Sequence, residues 1–198
     1  MTEHNPTIYF ATGNKGKFLE ASQIAKIFGV TLKQMKIEKI EIQSDELEDI
    51  ASFAAKRASE TARHSVVAED AGLFINNLRG FPGPYSAYVF KTVGSDGVLN
   101  LLKGAKDRRA SFRAVVSFAR PRDPSVCFDG EVKGMIARKP RGCLGFGFDP
   151  IFVPMQADGR TFAEMNRLEK NLLSHRAKAF VKFFTWLTMN EASLRQVK

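Results

Sequence analysis

The sequence predicts an α/β protein whose sheet is extended by antiparallel strands. Three observations carry this reading. Residues 7–28 run as apolar strand, glycine-containing turn and amphipathic helix. A helix with an alanine-rich face over residues 47–62 is followed at once by the short apolar run Val66-Val67-Ala68. From Ala110 to Ile136 one strand pattern follows another with no helix between them, which suggests an antiparallel extension or second lobe with a ligand cleft between the lobes.

In chain order, Ile8, Tyr9 and Phe10 form the first strand, and the chain turns through Thr12-Gly13-Asn14-Lys15-Gly16-Lys17. Phe18, Ala21, Ala25 and Phe28 share one face of the helix that follows, with Gly29 placed to end it. Backbone N–H groups at a helix start form an anion site, Lys15 and Lys17 add positive charge, and the glycines allow close approach of a ligand. Thr12, Gly13, Asn14, Lys15 and Lys17 are therefore candidates for a phosphate cradle. The same residues also suit an ordinary turn, and the glycine patterns of P-loops and dinucleotide folds are absent. Leu32, Met35, Ile37, Ile40 and Ile42 alternate loosely enough for one or two strands, with Glu38 and Glu41 near their end. A carboxylate there is either solvated or points into the crevice above a sheet.

Asp45 with Glu48 reads as a capping box opening the second helix, which buries Leu47, Ile50, Ala51, Ala54, Ala58 and Ala62. Lys56 lies off that face, as a surface lysine or one reaching across a cleft. The strand over residues 65–68 ends in Glu69-Asp70. Adjacent carboxylates are costly unless a cation or donors offset them, and their oxygens suit Mg²⁺. The Gly- and Pro-rich residues 79–86 read as a rigid irregular loop, either a ligand rim or a simple connector, and residues 97–102 as a short helix stopped by Gly104.

Residues 110–119 give the clearest strand, with Ala110, Phe112, Ala114, Val116 and Phe118 on one face. Shorter strands over 125–128 and 132–136 are read as joined by a hairpin turn at Asp129-Gly130. In residues 143–150 glycines alternate with aromatics before Asp149. Phe148 could lie against a flat ligand with Asp149 at its edge, or Phe146 and Phe148 could pin the loop to the core. Thr161 and Glu164 make a second capping box. The last helix has Leu173, Ala177, Phe180, Phe184 and Leu187 inward, with Lys170, His175 and Arg176 near its start.

The 198 residues, 44% of them hydrophobic, suit one domain over 1–198. The net charge of +9 attracts nucleic acid, free nucleotides or phosphorylated metabolites without choosing among them. Cys127 and Cys143 form neither a metal cluster nor a disulfide framework. No signal-like segment and no membrane-length apolar run is seen, so a soluble cytoplasmic protein without a membrane partner is expected.

Taken together, Thr12-Gly13-Asn14-Lys15-Gly16-Lys17, Glu69-Asp70, Gly80-Phe81-Pro82-Gly83, Phe146-Gly147-Phe148-Asp149-Pro150, Glu164-Met165, Glu169-Lys170-Asn171 and Ser174-His175-Arg176 resemble one family across almost the whole chain. It is that of the inosine triphosphate pyrophosphatases, or Ham1-like non-canonical purine nucleoside triphosphatases, and the wording is most like archaeal members. The resemblance implies a two-lobed α/β fold around a long mixed sheet flanked by helices, with the nucleotide cleft between lobes, and a homodimer. It implies Mg²⁺-dependent hydrolysis of ITP, dITP and XTP to the monophosphate and pyrophosphate. Thr12, Asn14 and Lys17 would hold the triphosphate. Glu41 and Asp70 would serve the metal, Asp70 or Glu69 would orient the water, and Lys56 would approach the phosphates. Phe148 and Asp149 would meet the purine with Lys170, His175 and Arg176. Two departures stand out. Many bacterial members have Asp-Asp-Ser where Glu69-Asp70-Ala71 stands, and some carry Trp where Phe148 stands. The competing expectation is a basic protein that binds single-stranded nucleic acid through Phe148 and its cationic neighbours, which the net charge of +9 permits. The acidic pair speaks against a stable nucleic-acid partner.

Overall fold

The computed structural model describes residues 7–36 and 42–196. Its elements are β1 (Thr7–Ala11), α1 (Lys15–Ile27), β2 (Thr31–Met35), α2 (Leu47–Ala62), β3 (Val66–Ile75), β4 (Pro82–Gly83), α3 (Ser86–Thr92), α4 (Gly94–Leu101), β5 (Arg109–Ala119), β6 (Val126–Ile136), β7 (Phe152–Pro154), α5 (Arg167–Leu173) and α6 (His175–Gln196). The strands form one mixed sheet in the order β2-β1-β3-β5-β6-β7, with β4 paired to β3. β1 is parallel to β2 and to β3, while β5, β6 and β7 add on antiparallel. The expected α/β fold with an antiparallel extension is therefore present.

Two cores sit at opposite ends of this sheet. At one end, Phe10, Val67, Val116 and Phe118 meet Ala21 and Ile24 of α1 and Phe180, Phe183 and Leu187 of α6. At the other, Leu73, Phe112, Ile136, Phe152 and Phe162 pack together. Ala55 of α2 closes on Ala68 and Ala119 across the opposite face, where small side chains permit a close approach.

Four local readings change. The acidic pair does not follow a short strand. β3 continues through it to Ile75, because Ala71, Leu73 and Ile75 extend the buried face and Gly72 leaves room for the Gly83 backbone, which a Cβ would meet at 2.2 Å. Asp129-Gly130 is no hairpin. Both residues lie inside the continuous β6, opposite Val115 and Ala114, and Gly130 is small because α6 crosses it: an added Cβ would meet the His175 carbonyl oxygen at 2.1 Å. The second helix is not opened by an Asp45–Glu48 capping box. Ser44 does that work, accepting from the Glu46 N–H at 3.1 Å and donating to Asp49 at 2.9 Å. The loop read over residues 79–86 gives way at Ser86 to α3, and the Ser86 hydroxyl fastens that start by accepting from the Leu73 N–H and donating to the Gly83 carbonyl.

Candidate active site

The predicted helix start forms as expected. Asn14 caps α1, its Oδ1 accepting from the Lys17 N–H at 3.1 Å. Thr12 steadies the turn by accepting from the Asn14 N–H at 3.2 Å. The N–H groups of Lys15 and Gly16 precede the helical ladder, so the turn ends in open donors. Gly13 and the Lys15 side chain are exposed at its rim.

Opposite this turn lies the middle of β3, where alternation sends neighbouring residues to opposite faces. Glu69 turns into the protein and is fully enclosed. Its carboxylate takes Lys17 at 2.7 Å and Arg176 at 3.1 Å. Asp70 faces the other way and lines two adjoining cavities, one shared with Asn14 and Lys17, the other with Ser44, Tyr85 and Tyr88.

Arg176 reaches Glu69 because Ser174 breaks the last helical stretch in two. α5 ends at Leu173, Ser174 Oγ accepts from the Ala177 N–H at 3.1 Å, and α6 begins with His175 and Arg176 in its first turn. Arg176 also pairs with Glu20 of α1, Glu20 holds Lys170 at 2.8 Å, and Lys170 reaches Asp149 at 2.6 Å. Asp149 in turn accepts from the Phe146 N–H at 2.8 Å. A buried chain of alternating charge thus runs from Lys17, at the phosphate-cradle end, to the loop predicted to meet a base. Burial would push Glu20 and Glu69 up, but Arg176 with Lys170, and Arg176 with Lys17, outweigh it and hold both carboxyls below their ordinary value. Burial pushes Asp149 up, with Lys170 pulling it back. Arg176 is raised: burial works against its charge, and Glu69 and Glu20 prevail.

His175 lies flat on Phe112, ring centroids 4.7 Å apart, and its Nδ1 has no hydrogen-bond partner. Burial, and then the positive charges of Arg176, Lys170, Lys17 and Lys178, drive its pKa well below the ordinary value, so the ring is neutral. The two aromatic rings of the 143–150 loop differ. Phe148 is 3% exposed, in the second core, edge-on to Phe90 at 5.3 Å. Phe146 is more open, fits over Gly16 of α1, and has Lys170 and Arg176 over its face at 4.7 and 5.4 Å.

One cavity of about 310 Å³ collects Asn14, Lys17, Asp70, Phe148, Asp149, Lys170, His175 and Arg176 from the predicted set. Thr12, Gly13, Lys15 and Glu69 support its wall from behind or beside it. Lys56 is exposed on α2 and does not line it. Glu41 lies outside the described residues. Sequence reasoning missed Glu20, whose only trace was a carboxylate between the apolar positions Phe18 and Ala21. It also missed the α3 wall of Ala87, Phe90 and Lys91, while Pro84 and Ser86 of the 79–86 segment do line the rim.

Among the described residues no group of three His, Cys, Asp or Glu side chains could hold a metal alone. The carboxylates of Glu20, Glu69 and Asp149 are held by lysine and arginine, and Asp70 lines the cavity as a further carboxylate. That sparse set fits Mg²⁺, which keeps several waters and is held by one or two carboxylates together with substrate phosphates.

A family model described as "Ham1 family" matches residues 8–186. The chain belongs to the Ham1 family. It is 47% identical over 185 residues to a dITP/XTP pyrophosphatase of Methanopyrus kandleri, covering 93% of this chain and 98% of that one. It is 48% identical over 187 residues to the dITP/XTP pyrophosphatase of Saccharolobus solfataricus, covering 94% and 96%. Among solved structures, the Ham1 protein of Staphylococcus aureus superposes with a TM-score of 0.80 at 29% identity, over 93% of this chain and 99% of that one. These matches bear out the Ham1-like resemblance and its archaeal leaning. No helix among the described residues is long and apolar enough to cross a membrane.

Proposed function

We propose that this Ham1-family protein hydrolyses dITP, ITP and XTP to the nucleoside monophosphate and pyrophosphate, with Mg²⁺, and so clears deaminated purines from the nucleotide pool. The observation that carries the reading is one cavity joining a lysine-bearing helix start and the Asp70 carboxylate to an aromatic, histidine-lined end. The end-to-end likeness to dITP/XTP pyrophosphatases supports the substrate class.

In this reading the triphosphate lies against the start of α1, where open N–H groups and Lys17 offset its charge. Glu69 keeps Lys17 and Arg176 in place. Asp70 orients a water and accepts its proton for in-line attack at the α-phosphorus, with pyrophosphate leaving. Mg²⁺, held by Asp70 and by Glu41 as the resemblance implies, would supply a Lewis acid for the phosphate oxygens. At the other end, the more open Phe146 ring offers aromatic surface to the purine. Lys170, Arg176 and nearby backbone N–H groups favour a C6 carbonyl over the amino group of adenine, because a donor facing a donor costs about 1–3 kcal/mol. The cavity's buried cations are neutralised by Glu20, Glu69 and Asp149, which disfavours a single nucleic-acid strand as the occupant. A cytoplasmic homodimer completes the proposal.

Product analysis with ITP and Mg²⁺ tests the reading. IMP and pyrophosphate in equal amounts are expected, whereas IDP and orthophosphate would overturn it.

A further inference from the structure

Besides Phe112, Phe146 and Phe148, the cavity is lined by a fourth phenylalanine, Phe90, and it comes from α3. Two residues anchor that helix. Ser86 is fastened to Leu73 and Gly83, and Val89 is buried in the second core. Ala87, Phe90 and Lys91, spaced i, i+3 and i+4, share the face that lines the cavity. Phe90 is 40% exposed, whereas Phe112 and Phe148 are buried. A single exposed phenylalanine on a convex surface needs no explanation. Phe90 instead stands in a concave wall, where covering its ring removes apolar surface from water.

The ring has an open face. Phe148 meets it edge-on, centroids 5.3 Å apart at 86°, and is its one ring contact among the described residues. An edge-on contact covers at most one face of a ring. Phe146 is held by other elements: it fits over Gly16 of α1, with Lys170 of α5 and Arg176 of α6 over its face. Phe90 and Phe146 therefore line one cavity from separate elements without meeting each other. Together they offer a flat heteroaromatic ligand two surfaces.

We infer that Phe90 is a substrate-binding residue whose ring covers the purine from the α3 side, adding to the contact made by Phe146. Stacking tolerates any base, because every base has a π-face. Phe90 thus sets how tightly the purine is held, and the polar groups at its edge set which purine is chosen. The inference rests on the proposed nucleotide pyrophosphatase function.

The test compares the wild type with Phe90→Ala, Phe90→Leu and Phe90→Tyr in the full chain. Calorimetry gives the affinities for IMP and for tripolyphosphate, a probe with no base, and turnover of ITP gives kcat and KM. Phe90→Leu keeps apolar packing on Phe148 but has no π-face, so it separates stacking from packing. Phe90→Ala and Phe90→Leu are expected to weaken IMP binding about 5- to 20-fold, the lower part of the range for a base on an aromatic ring, and Phe90→Tyr to stay within about two-fold of the wild type. Tripolyphosphate should bind all four alike, and KM for ITP should rise with kcat unchanged. Unchanged IMP affinity in Phe90→Ala overturns the assignment. Wild-type affinity in Phe90→Leu also overturns it, making Phe90 a packing residue, as does an equal loss for tripolyphosphate or a fall confined to kcat. If the wild type releases no pyrophosphate from ITP, the proposed function fails instead, and the IMP comparison still decides Phe90. A wild type that binds tripolyphosphate but not IMP overturns the assignment outright.

Discussion

Asp70 and Glu69 are neighbours with opposite surroundings, and their substitutions should behave differently. Asp70→Asn keeps the shape of a cavity-lining side chain and removes its charge and basicity. Turnover is expected to fall about 10²- to 10⁴-fold, the usual weight of a general base, with the melting temperature close to wild type. Turnover near wild type at saturating Mg²⁺ would sink this role. The two rings of the base loop separate in the same way. Phe148→Ala empties a core position and should cost about 3–5 kcal/mol of stability. Phe146→Ala should leave stability nearly unchanged and weaken nucleotide binding by about 1–3 kcal/mol, the value of a stacked base. Melting curves and nucleotide titrations on both variants check this, and the reverse pattern would make Phe148 the ligand ring. The sequence named the acidic pair and both rings, but Glu69 and Asp70 were equal candidates for the water. Strand alternation separates them only once β3 is known to run through the pair.

At the scale of elements, the site depends on how α6 meets β6. The crossing is close because Gly130 has no side chain at the point where the His175 carbonyl passes. Gly130→Ala must push the α6 start away and shift His175 and Arg176 with it. Loss of both stability and kcat is expected, read by thermal melting and by turnover at saturating ITP. A variant with wild-type kcat would show that the α6 start tolerates displacement. The same glycine explains a misreading, since Asp-Gly is a strong turn signal and nothing local reveals a helix that packs on it from 45 residues away. The α1 start, the Thr161–Glu164 capping box and strand β5 were legible because each is decided by neighbours in sequence. α3 and Glu20 were not, because tertiary partners define them: the Leu73 N–H for α3, Arg176 and Lys170 for Glu20.

Over the whole molecule, the buried charges set how stability responds to acid. His175 has a pKa lowered well below its ordinary 6.5, so the unfolded chain binds a proton that the folded chain resists. Its contribution is present above about pH 6.5 and is lost as pH falls below that. Glu20 and Glu69, lowered from 4.5, add a second loss as pH drops further, which the raised Asp149 opposes. The melting temperature should therefore decline between pH 7 and 5, and His175→Gln should flatten that limb. A wild-type melting temperature constant over this range would contradict a neutral buried His175.

Base choice is where all the parts of the site act together, so a substrate panel tests the account most directly. The measurement is kcat/KM for ITP, XTP, GTP and ATP with Mg²⁺, following release of pyrophosphate. ATP presents an amino group to the donors at the C6 edge, and GTP shares the C6 carbonyl but adds a C2 amino group. ITP and XTP are expected well above GTP, and GTP at or above ATP. Equal hydrolysis of all four would contradict it, leaving a general triphosphate pyrophosphatase whose base end reads nothing.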